Sequence, residues 1–191
     1  MLLKVEKRWV IAFIITAIVA MVSLFWPTKL PDAGSGVFLE ENNLVGADIA
    51  WLLASSGLVL LMTPGLSFFY GGMVGKKNVI SIMLQSFIAL GVRSLVWVVV
   101  GFSLSFGDSL GFYIGKEHYG IIGNPFSFTF FNQVGVLPHS KMAPTVPFIL
   151  FAWFQMKFAV ITPAIITGSF AERVRFVSYL LFIVLFSLFI Y

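Results

Sequence analysis

Apolar residues in this chain run on with little interruption. Five stretches, at residues 9–26, 48–73, 79–106, 146–170 and 176–191, are almost wholly apolar, with polar or Gly- and Pro-containing connections between them. A helix needs about 20 apolar residues to cross the hydrocarbon core of a bilayer. The last stretch is short; the other four are close to that length or beyond it. The pattern predicts an all-α fold of polytopic transmembrane helices. Pro64 and Pro163 fall inside two of the stretches, where each should bend its helix. Membranes tolerate such a bend beside protein or a water-lined cavity.

The connections alternate in charge. Lys4, Lys7, Arg8, Lys76, Lys77, Arg173 and Arg175 flank one side. Lys29, Lys116 and Lys141 flank the other, together with Asp32, Glu40, Glu41, Asp48, Asp108 and Glu117. Basic residues gather on the cytoplasmic side of membrane proteins. The N-terminus, the Gly-Lys-Lys-Asn turn at 75–78 and the Ala-Glu-Arg-Val-Arg turn at 171–175 are therefore expected in the cytoplasm, with segments 27–47 and 107–145 outside. All five stretches fit this one orientation. The first also has the form of a secretory signal peptide, a basic start followed by an apolar core. No small-x-small cleavage site follows it, so residues 1–30 are read as a leader helix or signal peptide, 31–47 as an external linker and 48–191 as the main domain.

Composition narrows the classes. Hydrophobic residues make up 59% of the chain, charged residues 10%, and Phe occurs 22 times. Mean hydropathy is +1.00. A soluble domain of this size could not cover that much apolar surface, so the expected solvent is lipid. With no cysteine, disulfides, thiol catalysis and Cys-based metal sites are excluded. The net charge of +4 follows topology and is no signal for nucleic acid. His118 and His139 lie in the long 107–145 loop, without the spacing or partners of metal ligands, and are expected at the surface. That loop, rich in Gly, Pro, Asn and Phe, is expected to be irregular or re-entrant. Ser67, Ser103 and Ser105 have no His nearby in sequence, and there is no phosphate-binding or dinucleotide loop. Neither an enzyme nor a cofactor is expected. Ala50, Ala54 and Gly57, and Ala164 with Gly168, have the spacing that lets membrane helices approach closely.

Three motifs carry more. Residues 153–175 read WFQMKFAVITPAIITGSFAERVR, 63–78 read TPGLSFFYGGMVGKKN, and 97–108 read WVVVGFSLSFGD. Phe154 and Phe158 are one helical turn apart, so their rings share a face. Aromatic faces attract small cations by about 0.5–2 kcal/mol each. In order and spacing, the three motifs resemble the ammonium transporter (Amt/Mep/Rh) family from about residue 48 to 191, least so over 109–145.

The resemblance implies recruitment of ammonium at an aromatic outer site, followed by conduction through a narrow hydrophobic pore. Phe154 matches the outer site, Gln155 a supporting glutamine, and Asp108 an acidic residue at the outer mouth. Phe158 matches one half of a phenylalanine gate, and Leu66, Phe69 and Tyr70 match the lower pore lining. Family members use about eleven helices and assemble as trimers, so the chain is expected to be an incomplete N-terminal part, with the first four family helices plus a leader. The implied partners are ammonium or ammonia, the lipid bilayer of the cell (inner or plasma) membrane, and like subunits in a homotrimer; nucleic acid is not among them. Plain helix packing or a solvated loop would also account for several of these residues. Arg93 and Lys157 depart from the pattern. A charge at membrane depth costs at least about 2.5–3.5 kcal/mol, so each should face protein, water or a partner. They leave room for an ammonium-sensing membrane domain, or a helical scaffold with no ligand, as alternatives to transport.

Overall fold

The computed structural model describes residues 36–114 and 117–190, and only the backbone of 113, 114, 117, 118 and 170. The predicted leader, Lys116 and the side chain of His118 lie outside the described residues. Four helices carry the fold: α1 (Gly46–Met73), α2 (Val79–Phe106), α3 (Phe148–Ile166, prolonged by the 3-10 turn Thr167–Phe170) and α4 (Phe176–Phe189). The first three have the length and apolarity to cross a membrane; α4 is a shorter apolar helix. The four reproduce the later four apolar stretches to within a few residues.

α1 and α2 meet through small and hydroxylated side chains. Ser56, Thr63, Ser67 and Gly71 are the buried residues of α1. Ser67 donates to the carbonyl of Met83 at 3.3 Å, and the Met83 side chain lies against Gly71. Lipid is as apolar as a leucine, so helices associate there by close packing and hydrogen bonds, which small residues allow. The stripe expected from spacing, Ala50, Ala54 and Gly57, is exposed instead. Of the hydroxyls on the buried face, Ser67 is bonded to α2, whereas the Ser56 hydroxyl is buried with no partner among the described residues.

α2 contains a π-helical turn, Trp97–Gly101. Trp97 is buried there, and its indole nitrogen donates to the Ala152 carbonyl of α3 at 3.2 Å. A second polar junction joins α2, α3 and α4. Thr167 Oγ1 lies 3.1 Å from both the Pro163 carbonyl and the Tyr179 hydroxyl. The Tyr179 hydroxyl also reaches the Gln85 carbonyl at 3.4 Å. Arg93 is enclosed by α2 and α4, 1% exposed, with its guanidinium carbon 5.5 Å from the centre of the Phe186 ring. The mid-span charge therefore faces protein, as its cost in lipid requires.

The helix ends segregate. At one end the Glu172 carboxylate accepts from the Asn78 amide at 2.9 Å and the Gly75 N–H at 3.0 Å, which ties the two basic turns together. Glu172 has φ 66°, a left-handed backbone uncommon outside glycine, held by those bonds. The Asn78 amide, then the Gly75 N–H, holds its carboxyl below the usual glutamate range. Its contribution is present above that range and is lost as pH falls through the lowered value.

A cap covers the other end. Val45 N–H donates to Thr145, Leu39 to Pro138 and Ser140 to Val37, each near 2.9 Å, sewing residues 37–45 to 138–145. Beneath it lies an aromatic core of Phe38, Phe102, Phe128 and Phe148, flanked by Phe106, Phe131 and Phe151. The loop was expected to be irregular or re-entrant, yet residues 109–123 include an antiparallel hairpin, β1 (Ser109–Ile114) with β2 (Glu117–Gly123). The helical fold class is kept, since every membrane-length element is a helix. His139 was expected at the surface but is 5% exposed. Its ring packs on Phe148 at 4.8 Å and edge-on to Phe38 at 5.5 Å. A neutral imidazole is apolar enough to fill an aromatic pocket once one nitrogen is satisfied.

Candidate functional site

Pro147 caps α3, and the helix then carries Phe151, Phe154 and Gln155 along the wall of a cavity of about 330 Å³ under the cap. Asp48, Trp51 and Leu52 from the first turns of α1 form the facing wall, and the 142–146 loop closes the side. At about 30 Å³ per water, the space holds a small cation with much of its hydration shell. One turn deeper along α3, Phe158 packs edge-on against Phe154, centroids 5.1 Å apart and planes at 72°. Phe158 is 38% exposed among the described residues. Phe154 thus lines the cavity and Phe158 follows it one turn along α3.

The other sequence-derived residues lie elsewhere. Asp108 lines a second cavity, of about 650 Å³, together with Asn124, Gln133, His139 and Lys141; Met142 alone of the residues lining the first cavity also lines this one. Leu66, Phe69 and Tyr70 sit toward the basic-turn end of α1. Phe69 is exposed and stacks obliquely on Tyr70 at 5.5 Å, and Leu66 is half-buried. The Tyr70 hydroxyl donates to the Ile165 carbonyl at 2.5 Å, its ring lies against Gly168, and it lines a further cavity of about 360 Å³. Lys157 turns away from the Phe154–Phe158 stripe: its ammonium lies 4.8 Å from the centre of the Trp153 ring, one turn back on its own helix.

Sequence reasoning placed Asp48 among flanking loop charges and gave Trp51 no role. Their i, i+3 spacing was a signal that both share a helix face. That the face turns toward Phe154 depends on how α1 meets α3. Among the described residues, no group of three or more His, Cys, Asp or Glu side chains is placed to hold a metal ion.

Membrane-length helices with a cap over an aromatic cavity define a polytopic helical membrane protein with a candidate cation site. Residues 50–191 match the model of the Ammonium Transporter Family. The chain belongs to the ammonium transporter family. An ammonium transporter of Mycobacterium tuberculosis is 41% identical over 155 residues, covering 76% of this chain and 32% of that protein. One of Bacillus subtilis is 43% identical over 144 residues, covering 75% and 33%. The crystal structure of Saccharomyces cerevisiae Mep2 is similar with a TM-score of 0.64 at 26% identity, covering 85% of this chain and 37% of that one. The chain spans about a third of the length of the curated relatives it matches.

Proposed function

We propose that this chain forms part of a membrane pore that conducts ammonium or ammonia, with the cavity beneath the cap as its outer vestibule. The observation that carries the reading is the Phe154 ring lining a cavity wide enough for a hydrated cation, with Phe158 directly inward of it. Removing all water from an ammonium ion in a low-dielectric pore costs far more than two aromatic faces return. The cation therefore waits in the vestibule partly hydrated, held by the face of Phe154 and supported by the Gln155 amide. Phe158 supplies one ring of the constriction, past which uncharged ammonia travels after ammonium has released its proton to the water of the vestibule. Asp108, in the neighbouring cavity, adds negative potential at the outer mouth without touching the ion. Leu66, Phe69 and Tyr70 belong to the inner half of the route. In this reading the cap faces outward, the two basic turns face the cytoplasm of a cell (inner or plasma) membrane, and complete subunits assemble as a homotrimer.

The test uses the complete protein in liposomes with an internal pH probe. Ammonium should alkalinise the lumen above the rate of empty vesicles. Phe154→Leu, which keeps an apolar side chain and removes the ring face, should raise the half-saturating ammonium concentration about two- to fivefold, as expected for about 0.5–1 kcal/mol of cation–π attraction. Alkalinisation equal to that of empty vesicles would end the reading.

A further inference from the structure

We infer that Asp48, seated beside Trp51 on the first turns of α1, is the anionic wall of the vestibule and draws a small monovalent ammonium-type cation onto Phe154. The inference rests on the reading of Phe154 as a cation site and names the residue that delivers the ion to it.

Three observations carry it. First, Asp48 and Trp51 line the same cavity as Phe154 and Gln155, from the opposite wall. A carboxylate, an indole and a phenylalanine ring around one cavity form a cation site of mixed charge and π character. Second, the two acids differ in their surroundings. Asp108 shares its cavity with the basic Lys141. Among the described residues lining the cavity of Phe154, Asp48 carries the one charge. Third, Asp48 is exposed and, among the described residues, makes no hydrogen bond or ion pair. Its position is nevertheless fixed, because the Val45 N–H bond to Thr145 pins the start of α1 to the loop that closes the cavity. One carboxylate with aromatic neighbours suits a monovalent cation that keeps part of its water; a divalent ion would require more oxygen ligands.

The competing role for Asp48 is structural, since an acid in the first turn of a helix also complements the helix dipole. The two roles separate in the complete protein. Methylammonium uptake into liposomes is measured for wild type, Asp48→Asn and Asp48→Glu at low and high ionic strength, with thermal midpoints alongside. Asp48→Asn should raise KM about three- to tenfold at low salt and leave the maximal rate within about twofold. The difference should shrink at high salt, and Asp48→Glu should restore most of the affinity. An unchanged KM, or a lowered thermal midpoint with a lowered maximal rate and the same KM, would overturn the inference and leave the pore reading intact. Wild type without saturable uptake would sink the pore reading itself. Asp48 is then decided by titrating methylammonium against tryptophan emission, with Trp51→Phe as the control. A Trp51-dependent change that moves to higher concentration in Asp48→Asn supports the inference, and its absence or identity in both proteins overturns it.

Discussion

At the scale of single residues, the two intramembrane cations are resolved differently. Arg93 is enclosed against Phe186, while Lys157 lies along the flank of α3 over Trp153. Positions 157 and 158 are about 100° apart around the helix, so the Lys157 charge is directed off the Phe154–Phe158 stripe. Lys157→Met should therefore change ammonium uptake by less than about twofold, while losing about 0.5–1 kcal/mol of stability from the cation–π contact. Uptake assays beside thermal melting check this, and a several-fold gain in flux would return the charge to the conduction path. Asp108 teaches the opposite lesson. It is the acid a motif singles out, and it lines a cavity with Lys141, while Asp48 lines the cavity that holds Phe154.

At the scale of elements, two contacts fix how parts meet. Gly168 lies so close to the Tyr70 ring that an added Cβ would overlap it. Gly168→Ala should cost about 1–3 kcal/mol by overpacking. A double-mutant cycle with Tyr70→Ala should show that cost largely removed, and additive losses would mean that the ring is not the obstacle. The cap depends on His139. Its Nδ1 accepts from the backbone N–H groups of Lys141 and Met142, both at 3.3 Å, so the proton is assigned to Nε2. Burial, then the neighbouring Lys141, lowers the imidazole below its ordinary value, with Asp108 pulling the other way. The unfolded chain then takes up a proton, near pH 6.5, that the native cap still refuses. The stability His139 contributes is full above about 6.5 and is lost as pH falls through the lowered native value. Amide exchange at Lys141 and Met142 should accelerate over that window, and His139→Gln should flatten the response. Equal pH dependence in the variant would clear the histidine of this role.

For the whole molecule, the Glu172 bonds to Gly75 and Asn78 place both basic turns at one end and the cap at the other. With seven basic residues assigned to one side against three, the cap should be extracellular. Lys141→Cys in the complete protein should react with an impermeant thiol reagent added outside, and Lys77→Cys should react only after permeabilisation. The reverse pattern would invert the orientation, and equal labelling of both from outside would break the claim that the turns and the cap lie on opposite sides.

The run lengths of apolar residues were enough to place α1 to α4 within a few residues, because a bilayer sets the length of any helix that crosses it. The motifs at 63–78, 97–108 and 153–175 were enough to name a family, and the one-turn spacing of Phe154 and Phe158 predicted a ring pair that the backbone then formed. What each helix turns toward was a different matter. On a segment apolar on every side there is no contrast between core and solvent, so periodicity could not choose Ser56, Thr63 and Ser67 over Ala50, Ala54 and Gly57. The hairpin at 109–123 and the burial of His139 rest on backbone pairing and on rings that come from distant parts of the chain. That Asp48 lines one cavity with Phe154, and Asp108 another, was decided only when α1 and α3 came together, since the charges around a cavity are set by which elements meet there.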